Sequence, residues 1–204
     1  MVINSFSFLF FFVILFLVYY FPLKNNANAQ NIWLLVASYL FYGIADWKML
    51  PLLVVSTVVF YGLGLFISQS AGKRASLLTS FGVIAGVGVL LYFKYLNFFI
   101  DSFATLLTSI GIRANLTTLH IIFPLGISFF TFRLISYVID VYRGKMDPIR
   151  DFVAFAAYIA FFPTLLAGPI DRPNVFIPQL KSPRIFNYDL AVDGTRQILW
   201  GIFK

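Results

Sequence analysis

Within the stretch FPLGISFFTFRLISYVIDVYRG, Phe123 to Gly144, four residues have the types and spacing to do chemistry. On a helix beginning near Pro124, Arg133, Ser136, Tyr137 and Asp140 fall at i, i+3, i+4 and i+7 and share one face. Gly126 and Gly144 continue that stripe, while Ile127, Leu134, Ile135, Val138 and Val141 take the opposite side, suited to lipid or to packed helices. The segment is otherwise apolar enough to cross a bilayer, and Arg133 falls near mid-depth. A charge there costs at least about 2.5–3.5 kcal/mol on insertion scales, so it must face a partner or a wet cavity. Two turns, roughly 10 Å, separate Arg133 from Asp140. They cannot pair directly; Tyr137 bridges them or each has its own partner. The stripe reads either as a polar lining to a substrate path or as a structural network joining helices, and Asp140 also fits as the mark of the span's cytoplasmic end.

Other candidates are few. Asp171 and Arg172 in GPIDRP could hold a ligand or pin the loop, and prolines beside adjacent opposite charges favour a rigid turn. His120, the single histidine, is the residue type most used as a general base, but no Asp, Glu or Ser lies close to it in sequence. It reads as an interfacial histidine. One histidine and no cysteine exclude a multi-histidine metal site, thiolate zinc, disulfides and a cysteine nucleophile. No Ser-His-Asp arrangement or phosphate loop is present. The residues assign neither a catalytic group nor a metal ligand.

The elements that must position these residues are membrane helices. Of the 204 residues, 60% are hydrophobic and 11% charged, with a mean hydropathy of +0.88, far from a soluble domain's roughly 25% charged. The net charge of +7 is scattered in ones, twos and threes between apolar runs, which argues for membrane flanks and against nucleic acid. The expected fold is an all-α, multi-pass transmembrane bundle of about five or six membrane helices in one domain. Spans are expected over 6–23, 32–44, 51–67, 77–96 and 124–142, with 151–166, interrupted by Pro163, re-entrant rather than fully crossing. ANA at Ala27–Ala29 imitates a signal-peptidase site, but the N-terminus lacks Lys and Arg and the apolar core is long, so the first helix is expected to be retained.

Between the spans, KNNANAQN reads as a polar linker and Gly82 with Gly86 as a close-packing pair. YFKYLNFF reads as a headgroup anchor, Phe98–Ile112 as an amphipathic surface helix, and Ala167–Arg184, with its four prolines, as an irregular loop. Asn187–Lys204 reads as the start of an amphipathic helix cut mid-element. A charge-free N-terminus placed outside puts Lys24, Lys73, Arg74, Arg143, Lys145 and Arg150 on the cytoplasmic side, with Lys48 and Arg113 the outer minority.

PLGISFFTF (Pro124–Phe132) followed by ISYVIDVYRG (Ile135–Gly144) resembles the membrane-bound O-acyltransferases, in their bacterial alginate O-acetylation branch. SFLFFFV, ASYLFYG (Ala37–Gly43), YFKYLNFF (Tyr92–Phe99), FFPTLLAGPIDRP (Phe161–Pro173), PQL (Pro178–Leu180) and GIFK support it in order along nearly the whole chain. The resemblance implies transfer of an acyl group, often acetyl, to a hydroxyl of an exported polysaccharide. The implied donor is acetyl-CoA or a similar acyl thioester, with no bound cofactor. It also implies a bacterial inner-membrane location and an extracytoplasmic acetyltransferase partner. The family's histidine lies well downstream of these motifs, so His120 does not inherit its role, and this chain by itself is expected to be inactive. The branch commonly has glutamine where Arg133 stands, so no family role passes to Arg133. Two rivals stay open: a non-enzymatic membrane scaffold or partner subunit, and a small transporter with the Arg133–Asp140 stripe as its pathway, although no internal repeat favours the latter.

Overall fold

A computed structural model describes residues 6–110, 124–165 and 171–204, and the described residues are helical, without strands. The helices are α1 (Phe6–Tyr20), α2 (Ala27–Asp46), α3 (Leu50–Ser68), α4 (Gly72–Ser109), α5 (Ile127–Tyr142), α6 (Phe152–Ala160), α7 (Phe162–Leu165), α8 (Pro173–Lys181) and α9 (Tyr188–Phe203). Two of them, α3 and α4, are long and apolar enough to cross a membrane. The 19 residues of α3 reach about 28 Å, close to a hydrocarbon core, and the 38 of α4 about 57 Å, well beyond it.

Local chemistry sets the boundaries. Asn26 caps α2 by accepting from the Ala29 N–H at 3.0 Å, so the expected polar linker is helical from Ala27 onward. Asp151 caps α6 through the Val153 and Ala154 N–H groups, and Asn187 caps α9 through Leu190. The α5 helix begins at Ile127 rather than at Pro124, because Gly126 adopts the left-handed conformation (φ 70°) just before it. At its other end Gly144 (φ 65°) closes a Schellman turn, with Gly144 N–H on the Val141 carbonyl and Lys145 N–H on that of Asp140.

Two other expectations are corrected. The surface helix expected over Phe98–Ile112 does not break away; its described part is the continuation of α4. No proline or helix-stopping residue stands between Leu96 and Ser109, so the hydrogen-bond ladder runs on. The proline-dense stretch also holds a helix, α8. Pro173 sits in its first turn, where a missing N–H costs nothing, and Pro178 removes only the bond to Asn174 at the helix start.

α6 is the buried centre. Its residues Ala154 to Ala160 are all buried, against α2, α3, α5 and α8, while α5 packs on α3 and α4. Three glycines set the closeness of these layers. A Cβ at Gly64 would overlap the Tyr137 ring, and one at Gly86 would stand 2.8 Å from Ile135 Cγ1. One at Gly82 would stand 3.3 Å from Leu63 Cδ1, in keeping with the expected role of the Gly82–Gly86 pair. Gly88 faces open space. We therefore expect Gly64→Ala to lower stability by about 1–3 kcal/mol through overpacking, whereas Gly88→Ala should be neutral or slightly stabilising. Thermal unfolding in detergent checks both, and equal behaviour of the two variants would contradict this packing.

Candidate functional site

The polar residues of α5 do not meet one another. Arg133 and Tyr137 go to different neighbours, and Ser136 and Asp140 make no side-chain hydrogen bond among the described residues. Arg133 is 1% exposed and reaches the C-terminal end of α6, where its Nη1 donates to the carbonyls of Tyr158 (3.2 Å) and Ile159 (3.4 Å). Its Nη2 donates to the Thr164 hydroxyl, and the guanidinium lies over the Tyr158 ring, 5.6 Å from the centroid.

This arrangement follows from Pro163. A proline has no N–H to return to the carbonyl four residues back, here Ile159. The chain turns at Phe161 (ψ 100°), so the Tyr158 carbonyl also loses its helical donor, the Phe162 N–H, which goes instead to Ser38 Oγ at 3.4 Å. Arg133 supplies both missing donors, and its positive charge faces the negative end of the α6 dipole. Bonds from a charged donor contribute about 1.5–3 kcal/mol each, enough to offset the few kcal/mol that burying the guanidinium costs. Gly126 completes the joint: a Cβ there would strike the Leu165 carbonyl of α7.

Tyr137 does not bridge Arg133 to Asp140. Its ring lies on Gly64 of α3, 4.7 Å from the Phe155 ring, and its hydroxyl accepts from the Ile149 N–H at 3.2 Å. Asp140 is 8% exposed and acts electrostatically on Tyr158. Among the described residues its carboxylate makes no hydrogen bond and no ion pair. Asp171 offers its backbone carbonyl to the Tyr158 hydroxyl at 2.8 Å, and the Arg172 carbonyl accepts from Val175 and Phe176 as α8 begins. Both thus hold the loop through backbone atoms, while the Arg172 side chain is exposed. His120 and Arg113 lie outside the described residues.

A second polar joint escaped the sequence reading. Arg184 donates from Nε to the Tyr19 hydroxyl (2.6 Å) and from Nη2 to Asn31 Oδ1 (2.7 Å). Gln30 receives the Arg184 N–H at 2.9 Å and donates back to the Arg184 carbonyl at 2.8 Å, and Asn31 donates to the Leu180 carbonyl. The signal was an amide pair behind an Asn cap, read as linker. Beside this joint a cleft of about 780 Å³ opens between Asn28, the loop Met146–Asp151 and α8, with Arg150 and Lys181 among its walls.

If Arg133 caps α6, Arg133→Met should cost about 2–4 kcal/mol by stranding two buried carbonyls, and Arg133→Gln, which keeps an N–H donor, should recover part of that. Thermal unfolding together with proteolysis near Phe161 measures it. A Met variant as stable as the parent would rule the cap out.

Comparison with known proteins gives relatives across the whole chain. It is 41% identical to a protein of Azotobacter vinelandii named "Probable alginate O-acetylase AlgI" and 40% identical to one of the same name from Pseudomonas aeruginosa, each match covering 100% of this chain. A "Peptidoglycan O-acetyltransferase" of Helicobacter pylori is 34% identical over 88% of it. The chain spans only 38–40% of the length of these curated relatives. No family model and no solved structure matches it. The motif segments, their order and this whole-chain similarity agree: the chain belongs to the membrane-bound O-acyltransferase family.

Proposed function

We propose that this chain is part of an O-acetyltransferase that passes acetyl groups from a cytoplasmic thioester, acetyl-CoA or a similar donor, to hydroxyls of an exported polysaccharide. The observation that carries the reading is about 40% identity along all of its length to proteins named as alginate O-acetylases. An alginate-like acceptor is preferred to peptidoglycan because the identity to the peptidoglycan enzyme is lower. An extracytoplasmic acetyltransferase partner would finish delivery outside.

In this reading α1 to α5 cross the inner membrane and α6–α7 re-enter it. The N-terminus lies outside. Support comes from the segments gathered at one end of the bundle. The Tyr61 hydroxyl donates to the Arg150 carbonyl, Gln30 holds Arg184, and the 780 Å³ cleft joins Asn28, Arg150 and Lys181. The cations of those loops then face the cytoplasm together. Of the stripe, Arg133 and Tyr137 are taken up by the α6 joint and by Gly64, which leaves Asp140, with Asp171 and Arg172, as the groups able to line a substrate path.

Because the chain has no cysteine, single cysteines report topology cleanly. Ser70→Cys, Lys145→Cys and Ser182→Cys should react with an impermeant maleimide only from the cytoplasmic side, and Lys48→Cys only from outside. The reverse pattern would overturn the orientation.

Inside-out vesicles carrying a protein of the relatives' length should move labelled acetyl from acetyl-CoA onto alginate oligosaccharides faster than onto peptidoglycan. The 204-residue chain alone should move none. Failure of the longer, correctly inserted protein to acetylate either acceptor would overturn the function.

A further inference from the structure

The cleft bounded by Asn28, the loop Met146–Asp151 and α8 has fixed walls. The loop is held from behind at two consecutive residues: the Ile149 N–H donates to the Tyr137 hydroxyl, and the Arg150 carbonyl accepts from Tyr61. Asp151 then caps α6, and Asn31 holds the end of α8 through the Leu180 carbonyl. Ile149, Ala154, Ile177 and Leu180 are buried and give the cleft an apolar floor. At about 780 Å³ it falls within the roughly 300–1,000 Å³ of small-molecule sites, which are usually preformed in this way.

The rim is polar, and its cations are uncommitted. Arg150 lines it from the loop and Lys181 from α8; both are exposed, and among the described residues neither side chain makes a hydrogen bond or an ion pair. Two carboxylates share the rim. Asp151 commits its Oδ1 to the Val153 and Ala154 N–H groups at the positive end of the α6 dipole, which leaves Asp147 as the free acid against two cations. The flanking Arg143, Lys145 and Arg172 add positive charge, against Asp171. An anion with several oxygens and an apolar or planar body suits this arrangement, since guanidinium and ammonium groups both bind phosphate. The rim also favours a soluble ligand over a lipid. Every exposed residue of the lining except Pro178 is polar or charged, so an acyl chain would have to leave the cleft through polar groups.

We infer that this cleft holds the phosphate-bearing nucleotide end of the thioester donor, its phosphates against Arg150 and Lys181 and its body on Ile149, Ala154 and Ile177. The inference rests on the acetyl-transfer reading and on its orientation, which turns the cleft to the cytoplasm. Desulfo-CoA, which keeps the phosphates and lacks the reactive sulfur, is the probe, titrated onto a protein of the relatives' length in nanodiscs. Arg150→Gln with Lys181→Gln should weaken its binding by about tenfold or more, the loss of at least one charge-assisted hydrogen bond. The KM for acetyl-CoA should rise to match, with kcat and the acceptor KM little changed. Tyr61 binds only the backbone of Arg150, so that joint is kept. Asp147→Asn should act in the opposite direction and tighten binding, which misfolding cannot imitate. Lys73→Gln, an exposed cation outside the cleft, should change neither quantity. A parent that binds no desulfo-CoA, unaltered binding in the double variant, or equal weakening by Lys73→Gln would overturn the inference. So would a short-chain phosphatidylglycerol that binds more tightly than desulfo-CoA through the same two residues. Probe binding needs no turnover, so the site and the acetyl-transfer reading fail separately: a parent that acetylates normally while the double variant binds the probe unchanged sinks the site alone.

Discussion

The broken helix at Phe161–Pro163 is the constraint around which the described residues are arranged. The break lies in the buried centre of the fold, away from water, so the protein must itself satisfy the backbone groups that the proline has freed. Here two carbonyls take the Arg133 guanidinium, and the released Phe162 N–H takes Ser38. Phe162 then enters an aromatic cluster with Phe8, Phe11 and Phe41, with centroids 5.3–6.4 Å away. Segments far apart in sequence are thereby committed to one point. SFLFFFV supplies Phe8 and Phe11, ASYLFYG supplies Ser38 and Phe41, and PLGISFFTF supplies Gly126, whose missing side chain admits Leu165. That convergence gives a physical reason for these motifs to occur together.

Buried Arg133 and half-buried Arg184 both act on carbonyl oxygens rather than on carboxylates. Arg133 serves the end of α6, and Arg184 serves Leu180, Ser182, the Asn31 amide and the Tyr19 hydroxyl. A planar fork of donors suits this use better than lysine's compact point charge, because it spans two adjacent carbonyls at once. It also keeps a net positive charge at each joint, softened by the Tyr158 and Tyr19 rings lying under the guanidinium groups. Arg133 uses its charge up inside the bundle. Arg184 stands at its edge, with each of its three guanidinium nitrogens donating to a protein acceptor.

Much of this was legible in the sequence, for identifiable reasons. Period and length gave the helical character, and a glycine pair gave the α4–α5 approach through Gly86 and Ile135. The cost of burying Arg133 showed that it needed a partner. What could not be read was which partner, because a backbone carbonyl leaves no residue type to search for. Pro163 was recognised as an interruption, yet nothing in its own neighbourhood names a donor 30 residues earlier. Gln30 and Asn31 were hidden for a different reason. Polar amides before an apolar run look like linker until Asn26 is seen capping a helix that contains them.

The same geometry divides a stripe that periodicity had made look uniform. Sharing a face of α5 does not mean sharing a cavity, since different neighbouring elements cover that face at successive turns. Arg133 meets the end of α6, and Tyr137 meets the α3 backbone at Gly64 with Phe155 beside it. Asp140, one turn further, and Ser136 on the same stripe make no side-chain hydrogen bond among the described residues. A ring seated on a glycine leaves no room for a continuous polar channel from Arg133 to Asp140. Asp140 keeps 8% exposure, and its oxygens are not among the fully buried atoms left without a partner, so its carboxylate is not stranded. Among the described residues the fully buried side-chain polar atoms of α5 left without a partner are Arg133 Nε and Thr131 Oγ1, so the unmet demand on this helix lies on the arginine's side of the stripe and not at Asp140.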